Sequence, residues 1–168
     1  MNVPLLIADS STLLNFLVVG QIELILGMGY AVHVVDAVIY EVLSEKDLLE
    51  QLVREGRIIR VTLEGDQITQ RVAALSACGL GAGEALSLAA AIELKAAMAI
   101  DDRRAVKRAA AIAGQLTVVD SVELVVTALR DGRIDLNQAD AIKKAWEHQH
   151  RFKLKFASFG ERVKGDGS

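Results

Sequence analysis

The sequence contains one cysteine, one proline and few aromatic residues, which make up 4% of the chain. The single cysteine, Cys78, excludes an internal disulfide and a zinc site built from cysteines. With so few aromatic rings, Leu, Ile, Val and Ala must fill the interior. That composition is typical of helices packed on a parallel sheet.

Long uncharged hydrophobic runs are also missing, so we expect no membrane span. The first apolar run has no basic region before it and is interrupted by Asp9, which argues against a signal peptide. Together with the low cysteine content, these features predict a cytoplasmic protein. The net charge of -3 gives no reason to expect the nonspecific nucleic-acid affinity of a polycation.

A chain of 168 residues with 52% hydrophobic residues is long enough to build one core. No linker rich in Ser and Pro divides it. We therefore predict a single domain over residues 1–168, in which residues 136–168 form a C-terminal helix and a tail.

Four short apolar runs share one pattern, because each ends on an aspartate and is followed by a segment with helical spacing of apolar residues. Strand followed by helix, repeated, predicts an α/β fold with a parallel sheet of about four to five strands between helices, a three-layer Rossmann-like arrangement. The runs and the aspartates that end them are Pro4 to Ala8 with Asp9, Ala31 to Val35 with Asp36, Ala96 to Ile100 with Asp101, and Leu116 to Val119 with Asp120.

The rest of the chain is assigned more coarsely. Ile58 to Leu63 is either a fifth strand or a strand at the edge of a loop. Two helices are predicted between Gly65 and Lys95, and a last helix from Leu136, capped by Asp135, to about Trp146. The alternation of Phe152, Leu154 and Phe156 in the tail predicts an edge strand or a partner surface first, with RNA contacts by its basic residues as the other interpretation.

The aspartates that follow the strands are expected at one edge of the sheet, where parallel strands place their carboxyl ends and where ligands bind. Each is also a good helix cap. Capping is the preferred interpretation for Asp36. It is weaker for Asp9, because the following serines and threonine are alternative caps, and for Asp101, because Asp102 is beside it. Asp120 has Ser121 as an alternative cap.

Glu41, about one turn into the second helix, and Glu84, at the start of a later helix, are expected near the same edge. Carboxylates crowded together raise one another's pKa unless a cation lies among them. Ligand sets made of oxygen suit Mg²⁺ or Mn²⁺, which activate water and orient phosphodiesters. The candidate residues are Asp9, Glu41, Glu84, Asp101 and Asp102.

Gly79, Gly81 and Gly83 superficially resemble a dinucleotide-binding fingerprint. That fingerprint needs a strand immediately before it, whereas here a helical stretch, "ITQRVAALSAC", precedes the glycines. We therefore predict a tight connection between two helices, with glycine allowing positive φ and close approach.

Four segments, in this order, resemble the PIN domain, the nuclease fold of the VapC-like toxins. They are "LLIADSSTLL", "VVDAVIYEVL", "GLGAGEALSLA" and "AMAIDDRRAVKRAA". The subgroup with "GxGE" and "DD-R" signatures is the most similar, over about Val3 to Ile134. Two features depart from the family pattern: Glu84 stands where many members have Asp, and Asp120 stands where a small neutral residue is more usual.

The resemblance implies a ribonuclease that uses Mg²⁺ or Mn²⁺, with Asp9, Glu41, Glu84 and Asp101 as the catalytic and metal-binding quartet. Ser11 would support Asp9 or a water molecule. Asp102 and Asp120 stay open, each as an additional acid at the site or as a helix cap. The resemblance further implies an RNA substrate, a small antitoxin protein as partner and a homodimer.

Arg103 and Arg104 follow Asp101 and are candidates for RNA binding. Either of them is alternatively a counter-charge that holds the acidic residues together. If so, the chain would be a PIN-like binding or regulatory module without turnover, which is the alternative to the ribonuclease. A phosphoacceptor or nucleotide-binding domain ranks last. It would need a lysine at the end of a later strand to stabilise phosphate, and those ends carry Asp101 and Asp120.

Overall fold

The computed structural model describes residues 3–164 and contains one sheet of five parallel strands. The strand order is β3-β2-β1-β4-β5. The prediction of an α/β fold with four to five parallel strands is confirmed, and the undecided run from Ile58 is resolved as an edge strand. The strands are β1 (Leu5–Ala8), β2 (Ala31–Val35), β3 (Ile59–Val61), β4 (Ala97–Ala99) and β5 (Val118–Val119).

Eleven helices are present in the described part of the chain, and they form a layer on each face of the sheet. α6 lies across β1, β2 and β4, while α9, α10 and α11 pack on one another. The helices are α1 (Ser10–Leu17), α2 (Ile22–Leu26), α3 (Asp36–Glu41), α4 (Lys46–Arg54), α5 (Asp66–Ala77), α6 (Ala82–Leu94), α7 (Arg103–Arg108), α8 (Ala110–Ala113), α9 (Ser121–Arg130), α10 (Leu136–Gln149) and α11 (Phe159–Lys164).

β1 is the central strand, and its residues Leu6, Ile7 and Ala8 are completely buried. A continuous apolar run suits a strand covered on both faces, where an alternating pattern would place polar side chains in the interior. Successive residues of β1 therefore pack under opposite helix layers, which explains why the run stays apolar along the whole strand.

The order in which the strands are added creates a crevice at the carboxyl end of β1. The chain first builds β2 and β3 on one side of β1 and then crosses to place β4 and β5 on the other side. Ligands bind in open α/β sheets at this kind of switch point. Asp9 follows β1 and Asp101 follows β4, so the two carboxylates stand on either side of it.

The connection between α5 and α6 is the tight helix–helix link predicted from its glycines. Gly79 adopts a φ of +83°, a conformation that side chains with a Cβ rarely take. Gly81 then serves as the N-cap of α6. The element immediately before these glycines is helix α5 and not a strand, as predicted, so the context of a dinucleotide fingerprint is absent.

The helix predicted to be the last one, α10, begins at Leu136 with Asp135 as its N-cap, as predicted, but continues to Gln149, and α11 follows it within the predicted tail. Of the two interpretations placed first for the tail, an edge strand or a partner surface, the edge strand is wrong. Residues 151–158 form no strand, because Phe152 and Phe156 turn inward onto Trp146 and Phe159. Residues 165–168 of the predicted tail lie outside the described residues. None of the helices between residues 3 and 164 has the length and apolar content needed to cross a membrane.

Candidate active site

Asp9 stands where β1 passes into α1 and is the N-cap of that helix. Its backbone N–H donates to the carbonyl of Ala99 at 2.9 Å, which ties it to the end of β4. Its Oδ2 accepts hydrogen bonds from the hydroxyl of Ser11 at 3.0 Å and from the Ser11 amide at 3.4 Å. Ser11 therefore holds one oxygen of Asp9 and leaves the other free.

The second oxygen of Asp9 is exceptional, because Oδ1 is buried and has no hydrogen-bond partner. Asp9 is only 2% exposed. Burial raises its pKa from 3.8 to about 6, and the negative charge of Glu84 adds to the rise against the lowering by Ser11. Buried polar atoms normally have a partner, so an orphaned carboxylate oxygen indicates a place for a ligand.

Glu41 is the last residue of α3 and reaches from there to two other helices. Its Oε2 accepts from the hydroxyl of Ser10 at 2.9 Å, and its Oε1 accepts from the backbone N–H of Gly83 at 3.1 Å. The residue as a whole is exposed. Glu41 is thus a solvent-accessible carboxylate whose two oxygens are both oriented by donors at the starts of α1 and α6.

Glu84 stands in the first turn of α6, where its Oε2 accepts from the backbone N–H of Gly81 at 2.9 Å. This is one half of a capping box, and the acid is favourable there because it lies at the positive end of the helix. Glu84 has a second effect besides capping, since its negative charge helps to raise the pKa of buried Asp9.

Asp101 is held more tightly than the other acids, because its two oxygens accept four hydrogen bonds. Oδ1 accepts from the amide of Ser121 at 2.9 Å. Oδ2 accepts from the hydroxyls of Ser121 at 2.7 Å and Thr12 at 3.0 Å, and from the side-chain amide of Asn15 at 3.1 Å. Asp101 therefore joins β4 to α1 and α9.

The two aspartates that follow β4, Asp101 and Asp102, have different hydrogen-bond partners. Asp102 is exposed and caps α7, accepting from the amides of Arg104 at 2.9 Å and Ala105 at 3.0 Å. Of the two roles left open for Asp102, capping is the one that these bonds support. Asp120 likewise caps α9, in a capping box with Glu123, and Ser121 does not replace it.

Asp36 is not the helix cap that the sequence favoured. Val35 occupies the N-cap position of α3 and makes no side-chain capping bond, while Asp36 is the first residue of the helix. Its carboxylate pairs with Arg60 of β3 instead. The opposite charge on the neighbouring strand attracts the side chain away from the amides that it would otherwise cap.

Arg103 and Arg104 differ in what holds them. The guanidinium of Arg103 contacts Asp120 at 2.9 Å and Glu123 at 2.7 Å, and both carboxylates raise its pKa. It therefore neutralises the start of α9 and not the proposed quartet. Arg104 is also exposed, and among the described residues its guanidinium has no ion pair that would compete with a phosphate.

Sequence reasoning missed the residues that orient these acids, four through their side chains and Gly83 through its backbone amide: Ser10, Thr12, Asn15, Ser121 and Gly83. One signal was available. Asn15 interrupts the apolar stretch "LLNFL" at a position with helical spacing, and a polar residue on the buried face of a helix needs a partner. Asn15 is 5% exposed and finds that partner in Asp101.

The side chains at this edge fit a divalent cation held by few protein ligands. Asp9 supplies a buried oxygen without a partner, and Glu84 adds negative charge to it. Within residues 3–164, however, no group of three or more His, Cys, Asp or Glu side chains is arranged to hold a metal ion. Mg²⁺ commonly uses one or two carboxylates and completes its shell with water and phosphate, which suits the pair.

Comparison with known families gives one further finding. The chain matches a family model described as a PIN domain over residues 5–157, which spans all five strands and α10. Comparison with curated proteins finds no match at a significant level.

Proposed function

Because this chain belongs to the PIN-domain family, whose members are typically nucleases, we propose that it is an RNA endonuclease that uses Mg²⁺ or Mn²⁺. The observation that carries the proposal is the buried carboxylate of Asp9, whose Oδ1 has no partner at the switch point of the sheet. Burying this carboxylate costs solvation free energy, and a bound cation would offset that cost.

The acids of the proposed quartet have different surroundings and therefore different roles. Asp9 and Glu84 would hold the cation, which when bound supplies Lewis acidity toward a phosphodiester and lowers the pKa of water. Glu41 presents an oriented carboxylate to solvent, where RNA can reach it. Asp101 fixes the relative position of β4, α1 and α9, and with them the ends of β1 and β4.

The test is cleavage of a fluorescent single-stranded RNA by the purified chain, with and without EDTA, Mg²⁺ or Mn²⁺. Asp9→Asn should abolish cleavage, because an amide is a much weaker ligand than a carboxylate. Asp135→Asn is a matched control: it makes the same change at the N-cap of α10, where asparagine caps equally well. Full activity of a clean Asp9→Asn preparation would refute the proposal.

We further propose that the protein is the toxin of a toxin–antitoxin pair of the VapC-like type, acting as a homodimer. The support is the "GxGE" and "DD-R" segments. Expression of the wild type, but not of Asp9→Asn, should arrest bacterial growth, and co-expression of a small protein from the neighbouring reading frame should restore it. Growth unaffected by the wild type would remove the toxin assignment and leave the nuclease assignment to the cleavage assay.

A PIN-like binding module without turnover is the second candidate. It is favoured by the four hydrogen bonds that occupy Asp101 and by the finding that residues 3–164 offer no three-residue metal group. Titration calorimetry with Mn²⁺ separates the candidates. The ribonuclease requires binding that Asp9→Asn abolishes and Asp135→Asn preserves, whereas the inactive module predicts RNA binding that is independent of metal.

A further inference from the structure

The carboxylate of Glu41 lies directly against the backbone of Gly83 at the start of α6. The Gly83 amide donates to Oε1 of Glu41 at 3.1 Å. A Cβ built on Gly83 would lie 2.4 Å from each of the two carboxylate oxygens and 2.6 Å from the carboxylate carbon. Real Cβ atoms do not approach other atoms so closely, so the carboxylate occupies the space that a side chain at position 83 would fill.

Backbone conformation does not explain the glycine at position 83. Gly83 lies within α6 and is not among the glycines with positive φ. Glycine is less favourable than alanine inside a helix, so alanine would be expected here if local structure alone decided the residue. What alanine would not allow is the contact with Glu41.

The contact also has an electrostatic reason. Glu41 ends α3, and a negative charge is unfavourable at the carboxyl end of a helix. Because the Glu41 carboxylate contacts Gly83, it lies at the amino end of α6, where helix N–H groups lack internal partners. The Ser10 hydroxyl then fixes its second oxygen at 2.9 Å. Gly83 thus converts a flexible exposed glutamate into an oriented one.

We propose that Gly83 is a positioning residue for Glu41 in the cleavage reaction, an inference that rests on the proposed ribonuclease function. In this role Gly83 acts through Glu41 and not on the reacting atoms. Its absent side chain and its amide together fix where the Glu41 carboxylate stands relative to Ser10 and α1. A methyl group at position 83 displaces that carboxylate, which is the mobile end of a long side chain, and leaves the helix intact.

The first experiment compares Gly83→Ala with Gly160→Ala. Gly160 is also a helical glycine, but a Cβ there meets its neighbours at 3.4 Å or more, in ordinary contact. Gly83→Ala should fold with an unchanged or higher Tm and lose about tenfold or more in cleavage rate, since small misplacements of a reacting group are costly. Gly160→Ala should keep the wild-type rate. A wild-type rate in folded Gly83→Ala overturns the inference.

A double-mutant cycle shows whether Gly83 acts through Glu41. In a Glu41→Ala background, Gly83→Ala should change the residual rate by less than about twofold, because the group that it positions is gone. An equal loss in both backgrounds would show a general structural effect and overturn the inference.

An NMR measurement tests the contact without relying on activity. The Gly83 amide resonance should shift upfield in Glu41→Ala, which removes the acceptor of its hydrogen bond, while the Gly160 amide should not move. An unmoved Gly83 resonance overturns the positioning contact even if the enzyme is active. A shifted resonance in a protein without metal-dependent cleavage would instead refute the proposed function, and the catalytic role of Gly83 with it.

Discussion

Asn15 and Asp101 are 86 residues apart in the chain, and a 3.1 Å hydrogen bond joins the amide of the first to Oδ2 of the second. The same amide donates to the Ser121 hydroxyl at 3.0 Å, and the backbone carbonyl of Asn15 accepts from the indole N–H of Trp146 at 2.6 Å. One buried asparagine therefore connects α10 to the carboxyl end of β4.

The first prediction concerns this connection. Asn15→Leu removes a buried donor to a carboxylate, and such hydrogen bonds contribute about 1.5–3 kcal/mol. We expect the free energy of unfolding in urea to fall by about that amount. Asn137→Leu makes the same change at an exposed position of α10 and should alter stability by less than about 0.5 kcal/mol. Equal values for the two variants would contradict the assignment of Asn15.

The second prediction is that one chemical change has opposite effects on stability at two of the acids. Asp101→Asn replaces one carboxylate oxygen by an NH₂ group, and donors face both oxygens: the Ser121 amide at Oδ1, and the Thr12, Asn15 and Ser121 side chains at Oδ2. Two donors therefore face each other, and the fold is destabilised by about 1–3 kcal/mol. Asp9→Asn removes a buried charge with an unpartnered oxygen and should stabilise the fold without metal at neutral pH. Urea unfolding in EDTA at pH 7.5 measures both, and the same sign for both variants would contradict this description of the site.

The third prediction gives the pH dependence of the Asp9 contribution. The pKa of Asp9 is raised from 3.8 to about 6, so the native state binds more protons between those values. Its contribution to stability is complete below about pH 4, is lost as the pH rises through about 6, and is constant above that. The advantage of Asp9→Asn over the wild type should grow by up to about 3 kcal/mol between pH 4 and pH 7. A difference independent of pH would refute the raised pKa.

The fourth prediction concerns metal. An ion that binds only the native state stabilises by mass action, by about 2.7 kcal/mol at a hundred times its Kd. Mn²⁺ should therefore raise the Tm of the wild type and of Asp135→Asn, but not of Asp9→Asn. Scanning calorimetry with increasing Mn²⁺ measures this, and an equal rise in all three proteins would indicate binding elsewhere.

The fifth prediction concerns RNA binding by exposed Arg104. Arg104→Ala should weaken binding and reduce the slope of log K against log salt by about 0.7, the value for one phosphate contact on a single strand. Arg71→Ala is the control, because Arg71 forms an ion pair with Glu93 at 3.0 Å and we expect it to make no phosphate contact. Fluorescence anisotropy in EDTA, which prevents metal-dependent cleavage, measures both slopes. Equal slopes for Arg104→Ala and the wild type would exclude Arg104 from the interface.

The sequence predicted the elements well where a local signal exists. Continuous apolar runs such as Leu5–Ala8 identified the strands, since a strand covered on both faces has no polar alternation. Asp135 identified the start of α10 through its capping chemistry. The strand prediction for the tail was wrong because it relied on a local pattern alone. The alternation of Phe152 and Phe156 is typical of a strand, but packing of these rings on Trp146 and Phe159 stabilises a different conformation.

For the candidate site, the sequence identified acids at strand and helix ends but not their roles. Asp9 and Asp101 follow their strands in the same way along the chain, yet one has an oxygen without a partner and the other accepts four hydrogen bonds. The difference lies in Thr12, Asn15 and Ser121, which approach Asp101 from helices remote in sequence. Gly83 was noticed as a glycine of a tight turn, while its contact with Glu41 depends on how α3 meets α6.

By itself the amino-acid order determined the parallel α/β architecture and placed carboxylates at the carboxyl ends of its strands, because hydrophobic periodicity and capping act over a few residues. Only the tertiary structure decided which carboxylate is satisfied, which is oriented and which is left with an unpaired oxygen. Desolvation and hydrogen bonding depend on neighbours that the packing of distant helices brings together.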